Sequence, residues 1–550
     1  MYFRRKTSAG RAYLQIVESR RDGDQVRQQV IATLGRFEDL QASGQLERLV
    51  RSGARFAAKA MVLSAASNEA AIKIGVRRIG PALVFERLWE ETGCRAVITA
   101  LAGQRKHGFA LERAVFLTVL HRLFMSGSDR AADRWREDYA IVGVAGLDLH
   151  HLYRAMAWLG EELPEKEQDG RTPFAPRCLK DVIEERLFAH RRDLLTRLDL
   201  VFMDTTSLYF EGAGGQTLGQ HGYSKDHRPD LRQMILAVLI DGDSRPVCSE
   251  MWPGNTADVS AFIPVIDRLR RRFAIARVCA VADRGMISAE TVAELEARRL
   301  LYILGVRERS DKLVRELVLE DAAPFVPLAI NKRGKQTDYE AKTVMLAGRR
   351  YIVCRNHQEA EKDTADRASI VAALERQLAK GDKALVGNTG YRRYLKTISD
   401  QHFAIDPDKI AEDNKFDGIF VLRTNTDLNP LAAMLCYKQL WTVEQTFRTA
   451  KHLLSTRPIF HKLDETIRGH VFCSFLALVR KKVLEDRIAA LGRLGSWPET
   501  IADLDSLTET EIAYDSKRFI VRSAPRPAAS LALRAAGVAL PPTVRDATAS

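Results

Sequence analysis

Three acids stand inside elements that otherwise read as apolar. Asp204 interrupts the run VFMDTTSLYF, Asp283 ends the strand pattern of VCAVADRG, and Glu444 lies in the helical pattern YKQLWTVEQTFRTAK. An ionised carboxylate in a buried strand carries a large desolvation cost unless it is paired or holds a cation. Taken singly, Asp204 and Asp283 are also open to a structural reading, because an Asp at a strand end commonly caps the next turn or helix. Glu444 is more informative. At about 100° per residue, Tyr437, Leu440, Trp441, Phe447, Arg448 and Lys451 share with it an arc of about 120°, and Glu444 stands at the centre. The alternative is a surface i, i+4 pair with Arg448, but this face is aromatic and apolar. Two strand aspartates and a helix glutamate make an all-oxygen pocket suited to Mg²⁺ or Mn²⁺ rather than zinc. Two such ions about 3.5–4 Å apart activate a water or 3′-hydroxyl on one side of a phosphodiester and stabilise the leaving oxygen on the other. The chemistry expected is phosphoryl transfer on nucleic acid.

The charge agrees with such a partner. The 550 residues hold 84 Lys and Arg against 71 Asp and Glu, a net +13, which favours a polyanion. Twelve basic and six acidic residues in the first 60 hold nearly half of that excess. Seven cysteines without CxxC spacing indicate neither a zinc ribbon nor a disulfide framework, and a reducing cytoplasm is expected. The basic N-terminus has no apolar segment behind it, and no apolar run approaches the ~18 residues of a membrane span. There is no GxxxxGK[ST], no strand-borne GxGxxG and no HExxH. No nucleotide cofactor and no membrane role are therefore expected.

The elements that must position the acids follow from pattern changes. Residues 1–40 read as a small basic β module with short strands around the turn RRDGD. Residues 41–198 read as α-helical, with i, i+3, i+4 apolar spacing and Gly at several helix ends; His150 and His151 in this region read as a helix-surface pair rather than a metal site. At 199 the period shifts to strands: three meandering strands, then strand, helix and strand, which predict a mixed α/β sheet over 199–309. Residues 310–430 form an insertion with the hairpin AKTVMLAGRRYIVCR and a helix closed by Gly381. Residues 431–490 are helical, and 491–550 are an extension whose Ala/Pro-rich end, from about 520, is expected to be disordered.

At this level of detail the chain resembles the DDE transposases of bacterial insertion sequences, in the branch marked by a Tyr-x2-Arg-x3-Glu-x6-Lys signature. Here the signature reads Tyr437, Leu440, Glu444 and Lys451, with Leu440 in place of the Arg. FMDTTSLYFEG, HGYSKDHRPDLRQ, PGNTAD and VADRGM resemble the same branch, and the likeness spans most of residues 1–480. The resemblance implies an RNase H-like mixed-sheet core with a β-rich insertion; the β module and the α-helical domain that precede it are expected to bind the DNA ends. It implies that Asp204, Asp283 and Glu444 bind two Mg²⁺ ions, with Mn²⁺ as substitute, and that Tyr437 and Lys451 contact the DNA backbone. Arg448, one turn beyond Glu444, is the candidate to replace the missing Arg. A homodimer on double-stranded DNA is implied as well.

Weaker candidates remain open. Lys225, His227 and Arg228 either hold phosphates or form a solvated charge run, and Trp252 either stacks on an unpaired base or simply packs. The expected function is an insertion-sequence transposase in the bacterial cytoplasm and nucleoid, cleaving at terminal inverted repeats and joining 3′-hydroxyl ends to target DNA. Two rivals stand beside it: a DNA-binding relative without catalysis, and an RNase H-like nuclease that cuts without joining.

Overall fold

In a computed structural model the described residues are 2–8, 10–22, 25–54, 72–125, 127–191, 200–275, 278–306, 311–332, 335–379, 391–399, 402–453, 456–493, 495–514 and 517–547. The expected change of period at 199 and the helix end at Gly381 lie outside them. In chain order the strands are β1 (Tyr2–Ser8), β2 (Arg11–Asp22), β3 (Gln25–Arg36), β4 (Ile72–Arg78), β5 (Leu200–Tyr209), β6 (Gln233–Ile240), β7 (Pro246–Pro253), β8 (Cys279–Ala282) and β9 (Leu301–Val306). They continue with β10 (Val326–Lys332), β11 (Lys335–Leu346), β12 (Arg349–Asn356), β13 (Leu395–Ser399), β14 (His402–Ile405), β15 (Ile419–Thr424), β16 (Thr508–Tyr514), β17 (Lys517–Arg522) and β18 (Val544–Asp546). The chain divides into two compact units.

One unit comprises residues 1–84, 137–141 and 493–550. It holds the antiparallel sheet β1-β2-β3 and a second antiparallel sheet in the order β18-β17-β16-β4. The second sheet corrects two expectations. β4 is a strand inside a stretch that reads as helical, and it pairs with β16 from the far end of the sequence, a partner that local periodicity cannot reveal. The end of the chain is ordered as well: β17, the helix Pro527–Ala535 and β18 fall in the stretch expected to be disordered from about 520. The physical reason is that its alanines are core contacts. Ala529, Ala532, Leu533 and Ala536 are buried, Pro527 sits at the helix start where it is tolerated, and the Asp503 carboxylate accepts from the Ala528 amide at 2.9 Å.

The other unit comprises residues 85–136 and 142–492. Its centre is one nine-stranded sheet in the order β10-β11-β12-β15-β9-β8-β5-β6-β7. β5 pairs in parallel with β8 and β8 with β9, whereas β5-β6 and β6-β7 are antiparallel. Strands β5 to β9 therefore have the sheet order β7-β6-β5-β8-β9, the RNase H-like arrangement. β6 is buried along its whole length, as expected of a strand covered on both faces, and its Ile235, Ala237 and Leu239 pack with the helix Asp258–Phe273 in one core cluster. Four strands of the insertion, β15, β12, β11 and β10, extend the core sheet outward from β9, and β13 and β14 pair as a separate two-stranded sheet. The helix His357–Leu378 and the hairpin β13-β14 add a small satellite core of Leu374, Tyr394 and Leu395. No helix among the described residues is long and apolar enough to cross a membrane.

Candidate active site

Sheet topology brings two of the acids together. Asp204 lies in the middle of β5, and Asp283 immediately follows β8, the parallel neighbour of β5. The third arrives on a helix. The pattern 437–451, which reads as one helix, is broken at Gln439 into Pro430–Lys438 and Leu440–Arg448, followed by a π turn over Thr449–Leu453. The middle segment packs on β5 and carries Glu444. Asp204, Asp283 and Glu444 line one cleft of about 440 Å³ with Tyr437, Leu440, Trp441 and Phe420. The insertion adds Asn356, Glu359 and Asp363 to the same wall. Leu440, at the position of the signature Arg, is an apolar part of this lining.

Each acid is held differently. The Asp204 Oδ1 accepts from the Thr205 amide at 2.7 Å, but burial pushes its carboxyl above the ordinary 3.8, and the charges of Asp283 and Asp258 push the same way. The nearby Lys225 ammonium opposes this only in part. The Asp283 Oδ1 accepts from the Tyr437 hydroxyl at 2.7 Å. That approach needs Gly305 on β9, where an added Cβ would stand 2.3 Å from the Tyr437 hydroxyl. Glu444 pairs with Arg448 at 3.2 Å, and both side chains are about 60% exposed. The i, i+4 pair and the position in the cleft thus coexist, because the part of that face carrying Trp441, Glu444 and Arg448 is the open rim of the cleft, while Phe447 is buried and the Lys451 side chain largely enclosed. Trp441 on the same rim is 64% exposed.

The donor set fits a hard divalent cation. It is all oxygen, one carboxyl is held against its preference for neutrality, and the local negative charge exceeds the local positive charge. The three acids are not among the His, Cys, Asp and Glu groups whose ligand atoms lie within 4.8 Å of one another; those among the described residues are Asp129, His461, His470 and Asp148, His150, His151. Wider spacing suits Mg²⁺, which keeps waters and takes part of its shell from substrate phosphates. In the first of those two groups the His470 Nδ1 is 3.0 Å from an Arg122 guanidinium nitrogen, which occupies its lone pair. In the second, the His151 Nδ1 accepts from the Asp148 amide as a helix cap.

The remaining sequence candidates fall into three environments. Trp252 is fully buried, packed edge-on to Phe174 in the main core cluster, so the stacking role is corrected: its indole cannot reach a base. The alternation of β7 is hidden because both its faces are covered. Lys451 pairs with Asp226 at 2.7 Å, with side chains only 9% and 6% exposed. Lys225 donates to the Thr205 carbonyl at 2.8 Å and hydroxyl at 2.6 Å and lies 3.1 Å from Asp258. Arg228 pairs with Asp230 and lies over the Tyr209 ring. His227 is exposed, with a left-handed φ of 56°. Sequence reasoning missed Asp258, the exposed Trp441 and the insertion residues. Trp441 was the one with a legible signal, an aromatic one turn from the acid.

Comparisons with known proteins follow from the same residues. The family profile described as the transposase DDE domain matches residues 196–479, more than half of the chain. The profile described as the IS1634 family transposase N-terminal domain matches residues 3–67. No curated protein matches. Among solved structures, the piggyBac transposase synaptic complex with hairpin DNA aligns at 11% identity and a TM-score of 0.37, over 77% of this chain and 76% of that one. The Mos1 mariner paired-end complex with Mn aligns at 14% identity and a TM-score of 0.14, over 36% of this chain and 61% of that one. Likeness that low bears on neither mechanism nor ligands. With the acids on β5, after β8 and on the packed helix, and both profiles in sequence order, the chain belongs to the DDE transposases of insertion sequences.

Proposed function

We propose that this transposase binds the terminal inverted repeats of its own element as a homodimer, cleaves DNA strands there and joins the freed 3′-hydroxyls to target DNA. The observation that carries the reading is the convergence of Asp204, Asp283 and Glu444 on one open cleft with too little positive charge to neutralise them. Asp204, Asp283 and Glu444 would hold divalent ions, which would supply Lewis acidity toward an attacking water or 3′-hydroxyl and the leaving oxygen. The Tyr437 hydroxyl fixes the Asp283 carboxylate, and the Thr205 amide fixes Asp204. Arg448 and His227, both exposed, are the candidates of the original set best placed to meet backbone phosphates. Trp441 takes the stacking role that Trp252 cannot fill, its exposed indole standing on the rim of the acid cleft. No nucleotide hydrolysis enters this scheme, since transesterification conserves the phosphodiester.

The test uses a duplex cut from the DNA flanking the coding sequence, with Mg²⁺ or Mn²⁺. Wild-type protein is expected to nick the duplex at the repeat boundary and to join pre-cut ends to a plasmid. Cleavage without joined product assigns the protein to the nuclease class, and binding without cleavage to the repressor class.

A further inference from the structure

The motif HGYSKDHRPDLRQ is the longest stretch of the resemblance to which the acid chemistry gives no task. It forms a closed loop between β5 and β6. Gln220 and Gln233 exchange both backbone hydrogen bonds at 3.0 Å and seal its base. Gly222 lies against Gly254 so closely that a Cβ would meet the Gly254 carbonyl at 2.0 Å. At the tip, the Ser224 hydroxyl accepts from the Asp226 and Arg228 amides, and the Lys225 amide donates to the Ser207 hydroxyl on β5 at 2.9 Å. The loop is thus built to present Lys225 and Asp226 in fixed directions.

These two neighbours of opposite charge fasten to different elements. Lys225 reaches the carbonyl and hydroxyl of Thr205, the residue next to Asp204, and Asp258 at the start of the helix Asp258–Phe273. Thr205 itself donates to Asp258 at 2.7 Å, closing a triangle. Asp226 receives Lys451 at 2.7 Å and Arg457 at 3.2 Å. Lys451 is seven residues beyond Glu444, on the π turn that continues its helix, and Arg457 lies over the ring of Tyr209 on β5.

We infer that this loop is a strap that sets the strand of Asp204 against the helix of Glu444, so that Lys225, Asp226 and Lys451 are positioning residues of the acid cleft rather than phosphate contacts. The inference deepens the proposed reaction and rests on it for its consequence in catalysis, though not for the geometry. A phosphate reaching Lys451 must displace a buried carboxylate that already satisfies it. Burial lowers the Lys451 ammonium below its ordinary 10.5 while Asp226 opposes the shift, as expected of a cation enclosed with its counter-ion. Two adjacent residues therefore relate acids that arrive on separate elements and from distant parts of the sequence.

Amide hydrogen exchange on the full-length, DNA-free protein tests the strap without relying on activity. Asp226→Asn and Lys451→Met are each expected to speed exchange about tenfold in both 440–453 and 204–209, with the double variant no faster than either single one. Lys225→Met is expected to act on 204–209, and Lys225→Arg to restore wild-type exchange there. Acceleration confined to 221–232 would overturn the inference. With the flanking-DNA duplex, the strap requires kcat to fall while DNA affinity and its salt dependence stay unchanged. Tighter binding by Asp226→Asn, or a salt slope reduced by about one in Lys451→Met, makes Lys451 a phosphate contact and overturns it. If the wild-type protein fails to cleave that duplex, the proposed reaction falls, and the exchange result still decides the strap.

Discussion

Two groups of carboxylates in the same unit differ in burial and in pairing. In the first, Asp181 and Glu184 on the helix Leu179–Arg191 and Glu250 on β7 meet Lys180, Arg268 and Arg272, with every side chain at most 4% exposed. Lys180 to Asp181, Arg268 to Asp181 and Arg272 to Glu184 are all 2.6 Å, and Arg272 to Glu250 is 2.7 Å. Glu184 also accepts from the amide and hydroxyl of Ser249. Glu185, 18% exposed, adds a further carboxylate to Arg272 at 3.0 Å, so each of these three cations has a carboxylate partner. In the second, Asp204, Asp283 and Glu444 share with Glu359 and Asp363 a cleft that a single cation among the described residues, Lys438, lines, and the Lys225 ammonium that acts on Asp204 is already tied to Asp258. Complete pairing marks a structural joint. Incomplete pairing leaves a site whose charge only a ligand can balance.

The largest effect separates the two on activity. Asp204→Asn, Asp283→Asn and Glu444→Gln are each expected to lower cleavage of end DNA by on the order of 10³-fold or more, with the cooperative unfolding transition intact. Retention of a tenth of wild-type cleavage by any one of them removes that residue from the site. Stability should respond in the opposite place. Asp181→Asn leaves Lys180, Arg268 and Arg272 short of a buried counter-charge and is expected to destabilise the unit by about 3–5 kcal/mol, read by urea denaturation. A comparable loss in Asp204→Asn would erase the distinction.

The pH dependence of stability separates Asp181 from Asp204 because their shifts have opposite signs, although burial raises Glu184 in the paired group as well. The Lys180 ammonium and the Arg272 and Arg268 guanidinium groups hold the Asp181 carboxyl well below its ordinary 3.8, overcoming burial. Its contribution is present above 3.8 and is lost as pH falls below it. Burial raises Asp204 above 3.8, so the folded state binds that proton more tightly than the unfolded state. Its ionisation lowers stability at neutral pH, and the loss fades as pH falls through the raised value toward 3.8. Urea midpoints should therefore place Asp204→Asn above wild type at pH 7 and level with it near pH 3. The gap between wild type and Asp181→Asn should narrow over the acid range. An Asp204→Asn midpoint below wild type at pH 7 contradicts the charge imbalance.

A smaller effect concerns the bond between Tyr437 and Asp283. Tyr437→Phe removes one hydrogen bond to a charged acceptor, worth roughly 1.5–3 kcal/mol, and Gly305→Ala puts a methyl group 2.3 Å from the same hydroxyl. Each is expected to slow cleavage by about tenfold or more, with the double variant close to the slower single one. Additive losses would mean that the phenol acts on something other than Asp283.

What the sequence made legible follows from the range of each signal. The alternation and apolar runs of 200–306 report strands because each strand's own residues carry the pattern, and the acids are visible as interruptions of it. The pairing of β4 with β16 was not legible, since its two halves stand more than four hundred residues apart. The buried network was hidden for a related reason. KDVIEERL and RLRRRF have the composition of solvated helix faces, and only their packing against β7 shows that the charges face each other. Trp252 and Trp441 could not be placed from sequence: a Trp beside Pro and Gly fits stacking or packing equally, and one on an aromatic helix face does not say whether that face is covered. The sheet buries the first and the cleft opens the second.

The smallest expected change lies at the rim. Arg448 and Glu444 form their pair in solvent, so Arg448→Ala should shift stability by no more than about 0.5 kcal/mol, within reach of replicate urea titrations. The same variant still has a measurable consequence if the guanidinium serves DNA. The slope of log affinity against log salt should drop by about 0.9 for one lost phosphate contact on duplex DNA, while kcat on saturating DNA stays near wild type. A fall in kcat with an unchanged slope would mean that Arg448 acts by orienting Glu444, which moves it from the DNA-contacting rim into the acid cleft. A stability loss of several kcal/mol would instead place it with the closed network around Asp181, where a missing cation is felt by the fold.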